Sequence, residues 1–250
     1  MTSASSFEGY LRARHRPAHG RRTVESHALF LVPWLQPGMR LLDVGCGPAS
    51  ITAGFASLVD VGAGIAIGVD RDPGALAPTC AGDAYSLPFA SGTFDAVFSC
   101  AMLQHLSDPL AALVEMRRVC RSGAVVGVAD CDWDSSLLWP RSPLLARADA
   151  IRSALREGTS PRVGKELRGL LSAAGFVRAS ASVKPPPVTT GNAFFESAFF
   201  SAPEVVDEVV RRGLSTADEM AAIAAAWLEW GQDPGAFSAG FWVEAVAFVD

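Results

Sequence analysis

Lysine is nearly missing from this chain. Only Lys165 and Lys184 occur among its 21 basic residues, and the rest are arginine, a bias we ascribe to codon usage. Tyrosine is as scarce, with Tyr10 and Tyr85 alone. No Tyr-x-x-x-Lys pair can be drawn from so few residues, which argues against one common kind of nicotinamide oxidoreductase. The five cysteines, Cys46, Cys80, Cys100, Cys120 and Cys131, are odd in number and never fall as CxxC. That spacing disfavours both a disulfide framework and a zinc site, and makes a reduced, cytoplasmic setting the expectation. No apolar run reaches the ~18 residues that would span a bilayer. The opening "MTSASSFEGY" has no apolar core of a secretory signal. There is no internal repeat and no low-complexity linker.

What remains is a chain of 250 residues, half of them apolar, with mean hydropathy +0.25 and net charge −5. That is enough to bury a large core, in one domain or a domain with a cap. An acidic balance gives no general attraction to nucleic acid or anionic lipid. The basic stretch "LRARHRPAHGRR" lacks the interleaved aromatics of a nucleic-acid arm. It is expected to be solvated or to fold across a ligand, in which case Tyr10 and His15 could reach a site.

Strand and helix signals alternate along the chain. Residues 23–35 read as a helix capped by Thr23. The segments 40–44, 65–70, "CAGDA", 94–100, 123–130, "VRASASV" and "FWVEAVAFV" read as seven strands. Helices are expected at "PASITAGFASLV", "DPLAALVEMRRVC" and "GKELRGLLSAAGF". The crossover "RDPGALAPTC" holds too much proline and glycine for a full helix. Such alternation predicts an α/β doubly wound sheet. Residues 133–160 and 187–240 interrupt late crossovers. With residues 1–35 they are expected to be cap elements on one domain, the second carrying "AFFESAFF", Trp227 and Trp230 over an apolar ligand.

In a doubly wound sheet the ligand lies beyond the strand ends. The first strand there runs into "LLDVGCGPAS". Gly45 and Gly47 permit positive φ and close backbone approach. Asp43 would repel a pyrophosphate but attract a cation or accept from an amine. The dinucleotide pattern needs a third glycine where Ser50 stands. Asp70 ends the second strand and can accept both hydroxyls of a ribose. Asp83 offers an acceptor for an exocyclic amine. Acids and glycines without a phosphate-binding lysine suit a nucleoside-like ligand, and S-adenosylmethionine fits.

The ordered set "LLDVGCGPAS", "IGVDRD", "GDAYSLPFASGTFDAVFSCAMLQHLSDP" and "RRVCRSGAVV" resembles the class I S-adenosylmethionine-dependent methyltransferases. It is most similar to the small-molecule "type 11" group that includes quinone-biosynthesis enzymes. The resemblance spans about residues 23–183. It implies a Rossmann-like seven-stranded sheet whose last strand is antiparallel. It implies that Gly45, Cys46 and Gly47 approach the methionine part of the cofactor, with Asp70 and the neighbouring Arg71 at the ribose. Asp83 and the Ala84 amide fall at the adenine, and the Cys100 backbone at the methionine amine. Three departures stand out. Ala49 replaces a loop glycine, "RSGA" replaces a more usual RPGG turn, and the helix after Asp70 is nearly absent. Ala49 is expected to weaken cofactor affinity at most.

Catalytic candidates are fewer. His105 in "LQHLSDP" could serve as a general base at neutral pH. Asp130, Asp132 and Trp133 close the fifth strand, where strand ends face the crevice, and Asp132 is taken as the second candidate. Two acids at i, i+2 with no third ligand nearby do not make a metal site. Cys46 reads as a small apolar filler. The expected activity is methyl transfer to an apolar small molecule through an oxygen, nitrogen or carbon nucleophile. The first alternative is a cofactor-binding relative with another reaction, such as cyclisation, and the second is a nicotinamide-dependent oxidoreductase, which the missing third glycine and the missing Tyr-x-x-x-Lys pair disfavour.

Overall fold

Of the five residues Arg40–Val44 (β1), the last four are buried, Asp43 among them. So are the seven of Phe94–Cys100 (β4), every one. Strands covered on both faces need helices on both sides, and the chain supplies them. The computed structural model describes residues 20–184 and 192–250. Among these, β2 (Ile65–Asp70), β3 (Thr79–Ala81), β5 (Cys120–Trp139), β6 (Val177–Lys184) and β7 (Phe237–Phe248) complete a seven-stranded sheet. Its order is β3-β2-β1-β4-β5-β7-β6. β1 runs parallel to β2 and β4, and β4 parallel to β5, while β7 lies antiparallel to β6. This is the expected architecture. The strand order reverses between β1 and β4, so the ends of those two strands bound the ligand crevice of such folds.

Helix α1 (Val24–His27) precedes the sheet, α2 (Ser50–Val59) follows β1, α3 (Pro109–Val119) precedes β5, and α5 (Val163–Ala173) precedes β6. The last is preceded in the chain by α4 (Pro143–Leu155). Two apolar layers cover the sheet. On one side Val126, Val128 and Val97 pack with Leu113, Met116 and Leu167. On the other Phe98, Val125 and Ala129 pack with Leu31, Ile51 and Phe55. A register shift between Phe94 and Ala96 puts Phe94 and Val97 on the same face.

The chain divides into two compact units. The larger holds the described residues 20–132, 159–184 and 242–250. The smaller holds 133–158 and 192–241, that is α4, the far end of β5, the start of β7, and α6 (Asn192–Phe200), α7 (Pro203–Arg211) and α8 (Ala217–Trp230). It has its own core of Ile151, Phe200, Val205, Met220, Ile223, Trp227 and Trp230. The two tryptophan rings meet edge-on at 5.5 Å. Arg152 of α4 pairs with Glu196 of α6, and Arg147 reaches Glu219 of α8 at 3.1 Å.

Three sequence boundaries are corrected. The helix expected over 23–35 closes after His27, and a 3₁₀ turn, Val32–Trp34, takes its place around Pro33; Pro33 has no amide to continue a helix. The strand expected at 123–130 runs from Cys120 to Trp139, so part of the supposed cap is sheet. The seventh strand likewise starts earlier, at Phe237.

Candidate active site

The glycine loop is built by backbone bonds to the second strand. Gly45 and Cys46 both donate to the carbonyl of Val69, at 2.8 and 3.2 Å. Gly45 has φ +77°, and a Cβ there would lie 2.4 Å from Met102 Cγ. Gly47 has φ +49° with open space where a side chain would stand. Its amide donates to Asp70 Oδ2 at 2.9 Å, while Asp72 N donates to Asp70 Oδ1 at 3.1 Å. Gly74 N closes the far side on the Gly47 carbonyl at 2.7 Å. A Cβ on Gly74 would run into the Pro48 backbone at 2.5 Å. The loop is thus clasped between β2 and the segment that replaces the missing helix.

Asp43 lies beneath this loop and does not open to it. It is 3% exposed and accepts from Thr52 Oγ1 of α2 at 2.6 Å. Burial pushes its carboxyl up to about 7, opposed by the Thr52 hydrogen bond and assisted by Asp70. The Thr52 bond ties α2 to β1. Cys46 fills a hollow over Gly68, where a Cβ would stand 2.6 Å from its sulfur. Burial, then Asp43 and Asp70, push this thiol far up, so it is not a thiolate. Both facts fit the filler reading. Ala49, in the place of a glycine, adopts φ +65° and is fully buried. It takes the left-handed conformation despite its Cβ, at a cost of about 1–2 kcal/mol.

The other nominated residues are spread around the strand ends. Asp83 is exposed and accepts from Tyr85 N at 2.9 Å, with Ala84 half-buried beside it. Arg71 is exposed. Cys100 ends β4, buried, with its thiol pushed up to about 12 by that burial. Next to it Ala101 has φ +57° and donates to Ala129 O of β5 at 2.9 Å. His105 is exposed at the end of the 3₁₀ turn Leu103–His105. Asp132 is buried on β5, with Lys165 of α5 at 3.6 Å. Tyr10 and His15 lie outside the described residues. Among the described residues no cluster of metal-ligating side chains occurs.

Sequence reasoning passed over Thr52, Met102, Gly74 and Gln104. Met102 and Gln104 lie inside a quoted motif without a role assigned to them there, and each of the four matters through a contact that only folding creates. The donor set suits S-adenosylmethionine. Gly47 leaves an open space at the loop, and exposed Asp83 offers a face to an amine.

Residues 42–128 match the family described as "Methyltransferase domain". An uncharacterized methyltransferase of Schizosaccharomyces pombe is 35% identical over 180 residues, 64% of either chain. The ubiquinone/menaquinone biosynthesis C-methyltransferase UbiE of Ralstonia nicotianae is 33% identical over 108 residues, 38% of this chain and 44% of that enzyme. The chain thus spans less than two thirds of the length of these curated relatives. Haemonchus contortus phosphoethanolamine N-methyltransferase 2, solved with S-adenosyl-L-methionine, shares the fold at TM-score 0.51 and 16% identity, covering 86% of this chain and 49% of that one. The loop clasped to the second-strand acid, the 3-2-1-4-5-7-6 sheet and the match over residues 42–128 make the chain similar to the class I S-adenosylmethionine-dependent methyltransferases of the type 11 group.

Proposed function

We propose that this protein transfers a methyl group from S-adenosylmethionine to a small, apolar acceptor. The observation that carries the reading is the bond from the Gly47 amide to Asp70, which sets a glycine loop and a second-strand carboxylate side by side. Each Asp70 oxygen keeps a lone pair beyond its backbone bond, so the carboxylate can accept the two ribose hydroxyls without releasing the loop. Asp83 and the Ala84 amide take the adenine edge. The loop backbone at Gly45–Gly47 and the end of β4 at Cys100 take the amino-acid part, and the nearby half-buried Asp70 favours its positive charge.

The bound cofactor supplies a methyl already activated on a positive sulfur. The chain's own task is alignment and exclusion of water. The αL turn at Ala101 and the following turn shape the floor beside the transfer path. His105 is the group on this turn able to take a proton when the acceptor must lose one. Asp132, held by Lys165, is assigned to the acceptor side as an orienting group. Acceptor choice is assigned to the smaller unit, whose α6 exposes Phe194 and Phe195 while Phe200 is buried. The net charge of −5 supports a small molecule over a nucleic acid.

Titration calorimetry with S-adenosylmethionine, followed by mass spectrometry of S-adenosylhomocysteine over a panel of apolar phenols and amines, tests this. Binding together with acceptor-dependent S-adenosylhomocysteine is expected. A folded protein that binds no cofactor would overturn it.

A further inference from the structure

Asp130 is a fully buried acid on β5 that the methyl-transfer reading leaves idle. Its Oδ2 accepts from Gln104 N at 3.1 Å and its Oδ1 from Cys131 N at 2.9 Å. The Gln104 side chain in turn accepts from Cys131 Sγ at 3.0 Å. Around the same turn Ser160 N donates to Gln104 O at 3.2 Å, and Ser160 Oγ to Leu106 O at 2.9 Å. The turn carrying His105 is therefore stitched to the middle of β5 through the Asp130 carboxylate and the Gln104–Cys131 side-chain pair. We infer that Asp130 is a positioning residue that pins the Leu103–His105 turn to β5 and couples the opening of that turn to its own ionisation.

The sign follows from solvation. Burial holds the Asp130 carboxyl up to about 7, against the pull of the Gln104, Cys131 and Leu103 backbone and of Arg22. Among the described residues, the charged group bearing on it from outside β5 is Arg22, ahead of α1. The Cys100 thiol at the end of β4 is coupled to it, and Asp132, two residues on, is paired with Lys165 of α5. When the turn lifts, the carboxylate meets water and returns toward an ordinary value of about 3.9. Between those two values the closed turn holds a proton that the lifted turn has lost, so raising the pH through that window favours the lifted turn. Opening should grow up to tenfold per pH unit between about 4 and about 7, the limit for one proton, and level off past an upper midpoint near 7. The consequence for catalysis rests on the methyltransferase reading, but the coupling of the turn does not.

Hydrogen exchange of the Gln104 amide, corrected for the intrinsic rate and followed from pH 4 to 8 on the full chain, reads this directly. Protection should fall with pH in the wild type and stay flat in Asp130→Asn, which keeps the shape and one acceptor. In Arg22→Gln, which removes the favourable cation, the midpoint should move to higher pH. A wild type without pH dependence, or a slope that survives in Asp130→Asn, overturns the inference. Should Asp130→Asn not fold, an unmoved midpoint in Arg22→Gln overturns it. Calorimetry with S-adenosylhomocysteine on the same wild-type sample separates the two readings, because a failure to bind retires the methyltransferase assignment and leaves the exchange result standing.

Discussion

The backbone amide of Gly47 and the side chain of Asp70, 23 residues apart, meet at 2.9 Å. This bond makes Asp70 both a ligand acceptor and a strut for the loop. Asp70→Ala is expected to weaken S-adenosylmethionine binding by about 1.5–3 kcal/mol, the scale of hydrogen bonds to a charged group. Calorimetry on the folded variant decides, and an unchanged dissociation constant would remove Asp70 from the ribose.

Asp43 predicts a pH dependence of stability. Its carboxyl is pushed up to about 7 in the folded chain by burial, against about 3.9 when unfolded. Between those values the folded state holds a proton that the unfolded state has lost. Stability should therefore fall as pH climbs from about 4 to about 7 and level off above. Urea midpoints across this range should flatten in Asp43→Asn relative to wild type, and parallel curves would count against the assignment.

Two glycines of one helix should respond oppositely to alanine. At Gly164 a Cβ would stand 2.9 Å from the Cys131 carbonyl, whereas at Gly169 nothing lies within 4 Å. Gly164→Ala should cost about 1–3 kcal/mol by forcing α5 off β5. Gly169→Ala should gain up to about 1 kcal/mol from helix propensity. Thermal or urea unfolding of the pair checks both signs.

The strained Ala49 offers a relief. Ala49→Gly removes the Cβ from a left-handed residue, worth about 1–2 kcal/mol, and adds chain entropy to the unfolded state, worth about 0.5–1 kcal/mol. A net rise in the urea midpoint is expected. A fall would mean that the buried methyl packs better than it strains.

Phe194 and Phe200 lie on one helix and differ in exposure, 77% against 0%. Phe200→Ala should cost about 3–5 kcal/mol by opening a cavity in the smaller core. Phe194→Ala should leave stability within about 0.5 kcal/mol. With the acceptor choice assigned above, Phe194→Ala should raise the acceptor's KM and leave cofactor affinity unchanged. Equal loss of both would return α6 to a packing role.

The sequence by itself determined the seven strands, their alternation with helices and the loop "LLDVGCGPAS", because local periodicity and glycine punctuation act over a few residues. It also determined the positions of Asp70 and Asp83, since each follows an apolar strand. Only the tertiary structure decided where the carboxylates point. Asp43 stands at the mouth of the loop in sequence, yet folding turns it under α2 to Thr52. Asp130 reads as the lesser partner of Asp132, yet Asp130 holds the turn after β4 while Asp132 faces Lys165. β5 outran its expected end at residue 130 because pairing, not local propensity, sets how far a strand extends. Contacts between residues far apart in the chain leave no periodic trace. The division into two cores, one of them assembled from 133–158 and 192–241, was settled by packing alone.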